Sequence, residues 1–371
     1  MSQLSERGHQ CEDEEFERQV FCDPCMSAGL YCGPYDVQWD QEESHCASCK
    51  RLLVSAADIQ VWKKSILDKI NQSDVVVFQR PVGMSHLRLM RLAKSAGKVV
   101  VQTADDDYLN IPEWNPGHQF HVSRREIIEE SFRISDAVDV TTPYLKQLYS
   151  NYLPNVEVIP NCLDLDLISA MPPVEPIIFS NNQKITPPHL DEKRQGRKMI
   201  FWSGGPSHEK DLELIVGAVR RISRSEDVVF GLMGYAHRAL LEIIPQDRLF
   251  LFSAVPCMNY YQTYKAIKPE ISLAPVVDIP FNRGKSNLKV TEAMAIGSFP
   301  IASAGVTYGD SIGCGMATPN DERSWFEALR EACRTDLSER VKANTTFVRK
   351  FDIKENAPLW ERFYQTTLER K

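Results

Sequence analysis

The sequence predicts an α/β protein of two similar domains, each a parallel sheet flanked by helices, facing one another across a cleft. Short apolar runs alternate with helical segments from residue 74 onward, as βαβ units do when they build open parallel sheets. The alternation breaks over residues 168–197, which hold Pro172, Pro173, Pro176, Pro187 and Pro188, and restarts at residue 199. A chain of 371 residues suits two domains.

In the first half, residues 74–79 hold a short apolar run, Val75 to Phe78, as expected of a buried parallel strand. A helix over 84–95 follows, with Gly97 placed to end it. Residues 98–103 are the next strand, and it runs straight into Asp105, Asp106 and Asp107. Ser123 and Glu126 form a capping-box pair that predicts a helix start near Arg124. Strands over 137–141 and 156–160 flank a short helix opened by Pro143. In the second half, strands are expected over 199–203, 228–233, 249–252, 271–274 and 300–302. Helices are expected over 211–223, 260–267 and 287–296, the last closed by Gly297, and the stretch from Asp321 reads as helical.

Hydrophobic residues make up 43% and charged residues 25%, an ordinary soluble balance. The net charge of −7 gives no general attraction for phosphate backbones or anionic membrane. No apolar run approaches the roughly 20 residues of a membrane span, and the polar, acidic start does not read as a secretory signal. The expected location is cytoplasmic, in the host cytoplasm if the source is a virus.

Six of the ten cysteines fall within the first 49 residues. Cys22-x-x-Cys25 and Cys46-x-x-Cys49 are 20 residues apart, a spacing that supplies the four thiolates of a structural zinc site. Cys11 and Cys32 are spare ligands; the alternative is a set of buried or redox-active thiols. The segment 11–49 is acidic, with Arg18 its single Lys or Arg, so it reads as a zinc-ribbon-like staple or interaction module and not as a nucleic-acid reader.

The densest chemistry lies between Pro280 and Pro300. A loop carrying Asn282, Gly284, Lys285 and Ser286 runs into a helix N-terminus, where free backbone N–H groups and a partial positive charge favour a diphosphate. Lys285 adds a full charge, and Glu292 farther along offers a carboxylate suited to a pair of ribose hydroxyls. The competing reading is a capped surface helix with a solvated lysine.

Phe281-Asn-x-x-Lys-Ser-x-Leu-Lys-x-x-Glu-Ala293, followed by Gly297-x-x-Pro-Ile-Ala-Ser303, resembles the donor-site signature of family 4-type glycosyltransferases of the GT-B fold, in the branch found in surface-polysaccharide clusters and phages. Ser203-Gly-Gly-Pro-Ser-His-Glu-Lys-Asp-Leu and Ile271-Ser-Leu-Ala-Pro275 are similar to segments of the same branch. The resemblance covers roughly residues 70–365. It implies transfer of a hexose-type sugar from a nucleotide-sugar donor, with retention. It places the donor ribose on Glu292, the diphosphate on Lys285 and Ser286, a second phosphate cation at Lys210, and close backbone approach at Gly204 and Gly205. It also implies a division into an acceptor-side domain (1–170), a linker (171–197), a donor domain (198–345) and a closing helix that returns to the first domain (346–371).

Two features depart from the family's pattern. Gly284 stands where most members carry a second Glu, and Pro206 and Ser207 occupy a stretch that often holds an Arg. Residues 3–10 resemble the end of the family's first helix without the strand that normally precedes it. Either the start is called late or the cysteine segment replaces that strand.

On the acceptor side, Asp106 and Asp107 are the candidate catalytic carboxylates, able to orient an acceptor hydroxyl or take its proton. A solvated capping loop is the alternative, and a divalent metal a third. His118 and His121 read as surface or packing residues. The acceptor class stays open between a glycan, a lipid-linked sugar, a protein and a modified DNA base. Rival readings are a nucleotide-sugar epimerase and a degenerate GT-B-like protein that binds nucleotide without turnover.

Overall fold

The computed structural model describes residues 31–32, 53–54, 56–305 and 307–371. Cys22, Cys25, Cys46 and Cys49, and with them the zinc expectation, lie outside the described residues.

The first half is a four-stranded parallel sheet in sequential order: β1 (Val75–Gln79), β2 (Val99–Ala104), β3 (Ala137–Val140) and β4 (Val156–Val158). Its helices are α1 (Ala56–Gln72), α2 (Met84–Ser95), α3 (Arg125–Ile134) and α4 (Pro143–Tyr149). Leu87, Met90 and Ala93 recur on one face of α2 and bury against Phe78 and Val100. Gly97, at φ 73°, ends that helix. Thr142 caps α4 by accepting from the Leu145 amide at 3.3 Å, with Pro143 in the first turn.

The expected capping box does not form. Residues 118–122 are already helical, so Ser123 sits in right-handed helical geometry at the end of that turn. Its hydroxyl donates back to Phe120 O at 3.1 Å, and α3 starts at Arg125 behind Arg124. An N-cap needs an extended backbone, which the preceding turn denies Ser123.

The second half is a six-stranded parallel sheet: β5 (Lys198–Gly204), β6 (Val228–Gly234), β7 (Leu249–Phe252), β8 (Ile271–Ala274), β9 (Phe299–Ser303) and β10 (Met316–Thr318). The spatial order is β7-β6-β5-β8-β9-β10. Chain direction across the sheet therefore reverses between β5 and β8, which opens a crevice at their carboxyl ends. The helices are α5 (Glu209–Glu213), α6 (Val216–Ser225), α7 (Cys257–Ile267), α8 (Leu288–Ala295) and α9 (Glu322–Arg334). Alternate residues of β5 serve two cores. Ile200 and Trp202 pack with Phe230 and Trp325, and Met199 and Phe201 with Phe250 and Phe252.

The proline-rich segment joins this second core. A hairpin, Ile177–Ile178 with Lys184–Ile185, and the helix Pro187–Arg194 place Ile177, Ile185 and Leu190 against Met199 and Phe252. After α10 (Ser338–Phe347), α11 (Ile353–Glu369) returns to the first sheet, where Phe363, Leu359, Trp360 and Tyr364 cover Val99, Val101 and Ala137. The two crossings run side by side. Leu163 N donates to Phe351 O and Ile353 N to Leu163 O, both at 2.8 Å. No helix among the described residues is long and apolar enough to cross a membrane.

A candidate donor-sugar site in the interdomain crevice

The floor of the crevice is the end of β5. A Cβ on Gly204 would lie 2.7 Å from the Trp202 ring and 3.1 Å from Lys289 Nζ, so only glycine fits, while Gly205 faces open space. Asp211 on α5 ties this floor to the loop after β8. One of its oxygens accepts from Val277 N at 2.8 Å and Asn282 Nδ2 at 3.1 Å; the other pairs with His208 Nδ1 at 2.7 Å. Asn282 is buried, also donates to Val277 O and accepts from Thr307 at its carbonyl. It staples the loop and has no amide hydrogen turned to the crevice. Burial and the two nearby lysines pull His208 down to about 4 against the opposing Asp211 contact, so the ring is neutral near pH 7.

Lys289 and Glu292 lie three apart on α8 and share a face. Lys289 Nζ donates to Ser203 O at 2.6 Å and lies 5.2 Å from the Trp202 ring. Burial draws its pKa down to about 8. Glu292 accepts from Tyr260 at 3.3 Å and Tyr261 at 3.2 Å, one hydroxyl on each carboxylate oxygen. Burial raises its pKa, and Lys289 and the two tyrosines oppose the rise. Tyr260 bonds Ser203 Oγ at 2.9 Å as well. These groups are enclosed by protein yet remain partly solvent-accessible, the condition of a concave binding site.

The other wall comes from the first half. Lys285 Nζ is 3.9 Å from Asp106 Oδ1 and 4.5 Å from the Phe281 ring centroid. Ser286 Oγ accepts from Asn161 Nδ2 at 2.9 Å, and Gly284 O from Thr142 at 3.4 Å. A Cβ on Gly284 would lie 2.9 Å from Leu145 Cδ2 and 3.3 Å from Asp107 Cβ. Gly284 is thus where the two halves touch, and an added Cβ would press on the Leu145 side chain.

The three aspartates after β2 have three different surroundings. Asp105 is bound by Arg80 and the Tyr108 hydroxyl, which hold its pKa below the usual range although burial pushes it up. Asp107 is fully buried and accepts from Leu109 N and Asn110 N, each at 3.1 Å, and from Asn110 Nδ2 at 2.8 Å. That is a local turn cap. Asp106 faces the crevice, and Lys285 is its carboxylate's closest partner among the described residues. Burial raises its pKa and Lys285 opposes the rise. His118 and His121 bond the carbonyls of Ile111 (2.7 Å) and Gly117 (2.9 Å), and His121 stacks on Tyr108.

Of the sequence-predicted residues, Gly204, Gly205, Lys285, Ser286, Glu292 and Asp106 meet at the crevice. Lys210 points elsewhere: its ammonium bonds both oxygens of Glu213, at 2.8 and 2.9 Å, on the exposed face of α5. Glu209, Glu213 and His237 gather nearby. His237 Nδ1 accepts from Ala239 N, which leaves the ring proton of the neutral form on Nε2, 3.8 Å from Glu213. That tautomer has no free lone pair for a cation. Sequence reasoning missed Lys289, Tyr260, Tyr261 and Asp211. Only Lys289 carried a signal, its three-residue spacing from Glu292.

No protein-family model matches the chain, and no curated protein matches it in sequence. Solved structures do match. A UDP-forming α,α-trehalose-phosphate synthase from Burkholderia xenovorans is 12% identical over 85% of this chain and 80% of its own, with a TM-score of 0.57. A trehalose-6-phosphate protein from E. coli, bound with UDP-2-fluoro glucose, is 12% identical over 90% and 91%, with a TM-score of 0.56. TarM is 11% identical over 90% of this chain and 63% of its own, with a TM-score of 0.56. The likeness is one of fold: an α/β chain with parallel sheets whose architecture matches GT-B glycosyltransferases.

Proposed function

We propose that the protein is a glycosyltransferase that moves a sugar from a nucleoside-diphosphate donor to an acceptor hydroxyl. The observation that carries this is the convergence of Lys285, Lys289 and Glu292 in the crevice between β5 and β8, with Asp106 opposite. Glu292, oriented by Tyr260 and Tyr261, has lone pairs left for two ribose hydroxyls. Lys285, Ser286 and the amides leading into α8 hold the diphosphate. Gly204 and Gly205 let the donor lie close to the backbone.

In the reaction the bond from the anomeric carbon to the diphosphate oxygen breaks, and a bond to the acceptor oxygen forms. The lysines stabilise the charge that builds on the departing diphosphate. Asp106 orients the acceptor hydroxyl, and its raised pKa suits it to receive that proton. Asp107 holds the turn that aims Asp106. The family resemblance adds a hexose-type sugar and retention.

The test is release of nucleoside diphosphate from UDP-, GDP- and ADP-sugars, with and without candidate glycan acceptors. The expected result is one donor consumed by wild type and spared by Glu292→Ala. A protein that binds none of the donors contradicts the proposal.

A further inference from the structure

We propose that Lys289, and not Lys210, is the second cation of the diphosphate site. This rests on the nucleotide-sugar reading and sharpens it. Lys210 is directed away from the crevice: its ammonium pairs with both oxygens of Glu213 on an exposed helix face. Lys289 is where a phosphate would need it. Its Nζ stands 2.6 Å from Ser203 O and within 3.1 Å of the position a Gly204 Cβ would take. It therefore lies against the glycine turn at the end of β5, on the helix face it shares with Glu292.

An ammonium has three hydrogens to give, and the structure records one hydrogen bond from this one, to Ser203 O. Below it lies the Trp202 ring, which favours a cation. The acid that most favours its charge, Glu292, is already held by two tyrosine hydroxyls. His208, on the same side, is neutral and does not compete for the anion. Lys285 enters from the other end, paired to Asp106 across the crevice. The site thus has one lysine from the helix face and one from the loop before it.

Burial already draws Lys289 to about 8. A phosphate beside it favours the charged form and raises that value, so diphosphate binding takes up a proton at alkaline pH. Diphosphate affinity is then full below the free-state value and weakens as pH rises past about 8.

The experiment is calorimetry on the full chain with UDP, GDP and ADP and the matching nucleosides, comparing wild type, Lys289→Met and Lys210→Met. The expected result is a loss of about tenfold or more in diphosphate affinity for Lys289→Met. Its nucleoside affinity and the Lys210→Met variant stay near wild type. Unchanged diphosphate affinity in Lys289→Met, or an equal loss for nucleoside, overturns the assignment; the second outcome makes Lys289 a structural prop of β5. Should Lys289→Met not fold, Lys289→Gln, whose side-chain amide can keep the bond to Ser203 O without the charge, decides: diphosphate affinity must fall relative to nucleoside, and an unchanged ratio overturns the proposal. A wild type that binds no diphosphate at any pH removes the nucleotide-sugar reading itself, a different failure.

Discussion

The two halves of the crevice hold their charges in opposite ways. On the donor side Lys289 and Glu292 stand on one helix face, oriented by neutral groups: a carbonyl, two tyrosines and an indole. Their charges are left for a ligand. On the acceptor side the charges are spent on each other or on the backbone. Arg80 holds Asp105, Asp107 caps its own turn, and Asp106 alone reaches outward, to Lys285. On the proposed function, the first wall receives an anion and the second presents a single carboxylate. On the same reading, a donor that brings its own negative charge would displace Asp106 from Lys285 and free it for the acceptor.

Breaking the acceptor wall has the largest expected effect. Asp106→Asn should lower kcat by about a hundredfold or more, the scale of a lost general base. Because the change also releases Lys285, nucleoside-diphosphate affinity should hold or tighten. Turnover assays beside calorimetry check both, and weaker diphosphate binding would break the comparison. Next comes the contact between the walls. Gly284→Ala should destabilise the chain by about 1–3 kcal/mol through overpacking against Leu145 and Asp107, seen as a lower denaturation midpoint. An unchanged midpoint would mean that Leu145 gives way to the added methyl or that the contact is not formed.

A smaller effect lies away from the crevice. Asp139 is buried in β3 with Thr103 donating to it at 3.0 Å, and burial lifts its pKa to about 6. The folded state therefore prefers it protonated, and its contribution to stability falls as pH rises from the unfolded value near 4 through 6. Asp139→Asn should raise stability by about 2 kcal/mol near pH 8 and by little near pH 4, as paired melting curves would show. A gain equal at both pH values would contradict the assignment.

How much was legible follows from how each part is encoded. The donor wall is nearly contiguous, since a loop, a helix start and one helix face hold Lys285, Ser286 and Glu292 within eight residues. The strand at Ile271–Ala274 and the helix at Met84–Ser95 were legible to the residue, because burial and a closing glycine mark them. Side-chain direction was not. Lys210 and Lys289 look alike in sequence, and only their neighbours, Glu213 and Ser203, tell them apart. Asn282 lies in the motif but serves Asp211, a partner 71 residues away. Asp106 and Asp107 are adjacent, and the turn at Asn110 sends one inward and the other out. The Ser123 capping box failed because the residues before it were already helical.

The most direct test of the donor site is calorimetry with UDP, GDP and ADP on wild type, Lys285→Ala and Glu292→Ala. One diphosphate should bind wild type and be lost, by about tenfold or more, in both variants. Binding that survives in both would place the nucleotide elsewhere and contradict the account.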